Sequence, residues 1–232
     1  MLTDTDRAAI EAAVREAESR TLGEIYCVLA QEASDYREVP LAWAAAAALL
    51  GPALLLLAGI EVQAPDLFNP GWTAAQVGGV AEAAARAALL GAVLLQGLLF
   101  VAVLLLASAP PVRRVLTPRG LKRDRVRRRA QEFFLAKGLH ATRERTGVLI
   151  FVSVRERMAE IIADEGVASK VEPRVWDEAM AALVAGIRRG EPDAGFVAAI
   201  RMCAAVLAEH FPPGDRDNPN ELPDSLVELP AL

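Results

Sequence analysis

The chain has 232 residues, 53% hydrophobic and 24% charged, with 25 basic and 30 acidic side chains and a net charge of −5. That length holds one membrane hairpin and one domain of about 150 residues. Two cysteines and two histidines, far apart in different segments, do not make a zinc site, and arginines without interleaved aromatics exclude a nucleic-acid partner.

The opening TDTDRAAIEAAVREAES (residues 3–19) reads as an amphipathic helix. Thr3 caps it and Asp6 completes a Thr-x-x-Asp box, while Asp4 and Asp6 suit the positive end of the helix dipole. Ile10, Ala13, Val14 and Ala17 recur at helical spacing as a core stripe. EIYCVLA (24–30) is β-rich and apolar at nearly every position, which predicts a strand covered on both faces. Cys27 within it, like Cys203 later, reads as a reduced, buried thiol.

Two runs follow without a single charge, LAWAAAAALLGPALLLLAGI (41–60) and AALLGAVLLQGLLFVAVLLLASA (87–109), of 20 and 23 residues. At about 1.5 Å per residue each covers roughly 30 Å, the thickness of a bilayer core. The segment 40–110 is therefore expected to be a transmembrane helical hairpin. The first run starts after a charged helix and does not read as a signal peptide. Tyr36 and Trp43 suit the interface, and the connector 61–86 holds a turn at Phe68-Asn69-Pro70-Gly71-Trp72. Spans free of charge do not suit a transporter.

Beyond the second run stand Arg113, Arg114, Arg119, Lys122, Arg123, Arg125, Arg127, Arg128 and Arg129, opposed only by Asp124. Basic residues at a membrane end resist translocation, so this flank is expected in the cytoplasm, next to anionic headgroups. Two spans return residues 1–39 to the same side, which places both termini in the cytoplasm. The helix expected over 122–137 sets Val126, Ala130, Phe133, Phe134 and Lys137 on one face, with Arg123, Arg127 and Arg128 largely on the others.

The remainder, 111–211, reads as the rest of an α/β module. GVLIFVSV (147–154) is a buried strand, Arg155-Glu156-Arg157 a polar turn and MAEIIAD (158–164) its hairpin partner. Two helices follow, the first carrying Trp176, Met180, Leu183, Val184 and Ile187. The tail, 212–232, is turn-rich and expected to run over the surface. If strands 24–30 and 147–154 are neighbours, helix 122–137 is the crossover of a parallel βαβ unit, and the hairpin is an insertion into one domain.

Acidic side chains cluster around the strand pair. Glu156 and Asp164 stand at opposite ends of one strand, roughly 20 Å apart. Asp164, Glu165 and Glu172 remain as candidate ligands for Ca²⁺ or Mg²⁺, with solvated surface charge as the default. The loop from Asp215 begins like an EF-hand, but Pro219 and Asn220 spoil its geometry, so it reads as a surface turn. His140 and His210 read as satisfied imidazoles. With no phosphate loop and no nucleophile elbow, no catalytic residue is assigned.

Residues 2–30 resemble the opening helix and strand of a TPM domain. AQEFFLAKGLHATRERTGVLIFVSVRERMAEIIADEGV (130–167), VWDEAMAALVAGIRRG and GFVAAIRMCAAVLAEHFP resemble the rest, and the HFPP…NELPD ending resembles the membrane-bound bacterial branch. The resemblance implies a small three-layer α/β/α sandwich with a mixed sheet, interrupted here by the transmembrane hairpin. It also implies acid phosphatase activity in some members and divalent-cation binding at acidic loops. Where the family often has Gly-x-Gly and a following Asp, this chain has Asp164-Glu165-Gly166 and then Glu172. The family's Asp-Arg at the hairpin turn is Glu156-Arg157. The expectation is a non-enzymatic module at the cytoplasmic face of a bacterial inner membrane, binding a membrane-protein partner in assembly or quality control. The alternative is a divalent-metal-dependent, phosphatase-like enzyme.

Overall fold

A strand without a polar face needs cover on both sides, and Glu24–Ala30 (β1) has it: all seven residues are buried. The computed structural model describes residues 2–59, 80–213 and 220–231. The expected turn at 68–72 and most of the loop from Asp215 lie outside the described residues. β1 pairs in parallel with Gly147–Ser153 (β2), in register from Glu24↔Gly147 to Ala30↔Ser153. Met158–Ala163 (β3) pairs antiparallel with β2. The helix Arg119–Ala136 (α5) lies between β1 and β2 in the chain and packs on β2 and β3, as a parallel crossover requires.

The opposite face is covered by Asp4–Glu18 (α1), Pro173–Arg189 (α7) and Pro192–His210 (α8), with a short Glu165–Ala168 helix (α6) after β3. Thr3 caps α1 with the expected reciprocal box: its hydroxyl accepts from the Asp6 N–H, and Asp6 accepts from the Thr3 N–H at 2.7 Å. Two cores result. Ile10, Val14, Ile25, Val148, Ile150 and Ile200 pack under α1, α7 and α8, while Tyr26, Val28, Phe151, Val126, Ala130 and Phe134 pack under α5. The architecture is the expected α/β/α sandwich with a mixed sheet.

One expectation for the tail is corrected. Val227–Leu229 forms a fourth strand (β4) that pairs in parallel with β1, giving the sheet order β3-β2-β1-β4. The tail is held by more than backbone: Leu222 and Leu226 pack against the two cores, and Arg7 Nε donates to Glu228 at 2.5 Å. Lys137 also departs from its expected place, being exposed beyond the end of α5.

Residues 36–118 form a compact unit of their own, and residues 1–35 with 119–232 form the other. The first contains Glu38–Leu57 (α2), Val80–Ser108 (α3) and Pro110–Leu116 (α4). α2 and α3 are long and apolar enough to cross a membrane. They approach closely, for a Cβ on Gly51 would lie 2.7 Å from Leu99 Cδ1. Their outer faces leave Leu49, Leu54, Leu57, Leu98 and Leu105 largely exposed, which suits hydrocarbon better than water. Trp43 donates its indole N–H to the Leu116 carbonyl at 3.1 Å, tying the start of α2 to the end of α4.

Candidate functional site

The basic flank is built on two helices. Arg113 and Arg114 lie in the last turn of α4, and Arg119, Lys122, Arg123, Arg125, Arg127, Arg128 and Arg129 lie on α5. Val126, Ala130 and Phe134 bury one stripe of α5, so the cations fall along its edges and outer face. Arg119, Arg123, Arg127 and Arg128 are exposed. Arg129 is half-buried, its guanidinium 5.3 Å from the Phe133 ring centre and 3.4 Å from Glu132. Arg127 and Arg123 face Glu160 of β3: burial pushes that carboxyl up, and the two arginines oppose the shift.

At the C-terminal end of β1 the chain leaves the sheet, the end at which open α/β sheets usually bind ligands. Here the polar groups satisfy one another. Buried Glu32 pairs with Arg155, and Ser153, itself fully buried, donates to Glu156. Glu156 also accepts from the Ala33 N–H at 3.4 Å. Arg157 completes the turn with φ of 53°, a left-handed backbone. The arrangement clasps the exit of β1 to the β2–β3 hairpin.

The expected metal ligands stand at the other end of β3. Asp164 is buried and caps α6, its Oδ1 accepting from the Glu165 N–H at 2.7 Å. Its Oδ2 is buried without a hydrogen bond and lies 3.9 Å from Arg145 Nε. Glu165 lies 3.6 Å from the same guanidinium. Glu172 is exposed at the start of α7 and makes no capping bond. Among the described residues no three Asp, Glu, His or Cys side chains gather as a metal-holding group. Asp164 and Glu165 both lie beside the Arg145 guanidinium.

Sequence reasoning missed a carboxylate cluster at the N-terminal end of β1. Glu18 accepts from the Ile25 N–H at 2.9 Å and shares a hydrogen bond with Asp224. Asp224 in turn lies 3.3 Å from Arg15 Nε and accepts from Asn220 at 2.5 Å. Buried Glu24 accepts from the Leu222 N–H at 3.3 Å. Burial, then the charges of Glu24 and Asp224, pushes Glu18 up to about 8, and burial likewise raises Glu24. Through Leu222 and Asp224 the cluster fastens the tail to the start of β1. Its one local signal was Glu24, a charge opening an otherwise apolar strand.

Cys27 and Cys203 are free and buried as expected; burial pushes Cys203 up to about 12 and raises Cys27 as well, so neither supplies a thiolate. A groove of about 360 Å³ lies between α1 and α8, floored by Ala13, Ala17, Ala204 and Ala208. Glu16 and Arg20 on its rim pair with each other at 2.5 Å.

Residues 112–206 match the family model of the TPM domain. The NMR structure of the BA42 protein from the psychrophilic bacterium Bizionia argentinensis aligns over 98% of this chain and 95% of that one. Its TM-score is 0.54 and its identity 19%, a likeness that shows the fold. No curated protein matches the chain.

Proposed function

We propose that the chain is a membrane-anchored protein of the membrane-bound TPM branch that binds a membrane-protein partner at the cytoplasmic face. The observation that carries this reading is the insertion of residues 36–118, with their two apolar helices, between two parallel neighbours of one sheet. Such an insertion tethers the domain at two chain crossings, which suits a scaffold held at a surface. The second crossing runs into the basic residues of α4 and α5, which favour the cytoplasm and anionic headgroups. The binding role in assembly or quality control is favoured over catalysis because Glu32 and Arg155, and Ser153 and Glu156, at the ligand-binding end of the sheet engage one another.

Affinity purification from native membranes with cross-linking tests this reading. A reproducible membrane-protein partner is the expected outcome. Chelator-sensitive hydrolysis of a generic phosphoester by the detergent-purified chain, lost on neutralising Asp164 and Glu165, would contradict it and favour a metal-dependent phosphatase.

A further inference from the structure

β3 is an outer strand of the sheet, and its register fixes which of its backbone groups are unused. Asp164 N–H donates to Gly147 O at 2.9 Å, so the even-numbered residues of β3 direct their N–H and C=O toward β2. By alternation the N–H and C=O of Ala159, Ile161 and Ala163 point away from the sheet. Among the described residues nothing pairs with them. Natural sheets usually blunt such an edge with lysine, proline or a bulge. MAEIIA contains none of these, and its one charge, Glu160, is half-buried beside α5.

The two flanks of this edge differ in chemistry. On the α5 side, with Met158 and Ile162, two exposed guanidinium groups, Arg123 and Arg127, face the single carboxylate of Glu160. On the α7 side, with Ala159, Ile161 and Ala163, the half-buried Trp176 and Ile187 pack against the core. Resting on the partner-binding reading above, we propose that the β3 edge takes an extended segment of a partner protein as an added strand, with acidic side chains at every second position and apolar ones between. Side chains of such a strand alternate between the arginines and the Trp176 side. Arg123 and Arg127 are one helical turn apart, about 6 Å, close to the roughly 7 Å between residues i and i+2 of a strand. A second copy of β3 fits poorly, because antiparallel self-pairing would bring two basic α5 helices side by side on one face.

The probe is a fluorescein-labelled ten-residue peptide of alternating glutamate and valine, set against its lysine counterpart. Both are titrated onto the full chain in uncharged detergent. The glutamate peptide should bind at least tenfold tighter and should protect the amides of Ala159, Ile161 and Ala163 from hydrogen exchange. Ala159→Pro removes an edge donor without touching the β2 ladder and should weaken binding at least tenfold. The double substitution Arg123→Glu and Arg127→Glu, on the helix surface, should reverse the preference toward lysine. Equal binding of the two peptides, or glutamate binding that neither variant changes, overturns the proposal, as does a dimer of the chain that Ala159→Pro dissolves. A cross-linked membrane partner that leaves the three amides unprotected also overturns it, while the partner-binding reading stands.

Discussion

Glu18→Gln should flatten the dependence of stability on pH. The Glu18 carboxyl sits between α1, the start of β1 and the tail, where burial and two neighbouring carboxylates raise it from 4.5 to about 8. A carboxyl raised on folding binds its proton more tightly in the native state. Its contribution is thus complete below about pH 4.5 and is lost as pH rises through about 8. Each tenfold in proton affinity is worth about 1.4 kcal/mol. For a carboxyl still touched by solvent, screening leaves about 2 kcal/mol of the whole displacement. Glutamine keeps the acceptor for the Ile25 N–H and adds a donor for Asp224, without a charge to uncover. The variant should match the wild type at pH 5 and exceed it by about 2 kcal/mol at pH 9. Glu24 and Glu160, both raised by burial, supply the slope that remains. Pulse proteolysis of the full chain in nanodiscs across a urea series, at pH 5, 7 and 9, reads this directly. Wild type and variant losing stability in parallel between pH 5 and 9 would refute the reasoning.

Other sites give sharper structural tests. Gly166→Ala would set a Cβ 2.4 Å from the Arg145 carbonyl oxygen, so the variant should lose about 2 kcal/mol or more in the same assay. Arg155→Ala strips the guanidinium from buried Glu32 and should cost about 2–3 kcal/mol, and adding Glu32→Gln to it should recover part of that loss. Cys27 and Cys203 should resist maleimide at pH 8 in the folded protein and react within minutes in denaturant, as mass spectrometry would show.

Features written in adjacent residues were legible in the sequence. The Thr3–Asp6 box, the two-sided strand 24–30, the charge-free runs and the 158–164 hairpin strand each carry a local period or a local pair. That strands 24–30 and 147–154, if neighbours, run parallel followed from topology, since 116 residues between them forbid a simple hairpin; that they are neighbours came from the structure. The β4 strand was not legible. Only three residues pair, between prolines, and what holds them is distant: β1, Arg7 and the leucine contacts. The Glu18–Asp224 contact joins residues 206 positions apart, and no period or motif announces it. The acidic loop after β3 was visible, but Arg145, which occupies it through a left-handed backbone with φ of 55°, was not.

The central claim is that the apolar hairpin interrupts one domain, so residues 24–30 must join 147–153 and 158–163 to complete the sheet. Expressing the chain as two fragments, 1–70 and 71–232, separately and together, tests it most directly. The account predicts that the pair co-purifies with the protease resistance of the intact chain, and that 71–232 alone is digested through β2 and β3. Fragment 71–232 resisting protease alone as well as the intact chain does would contradict it.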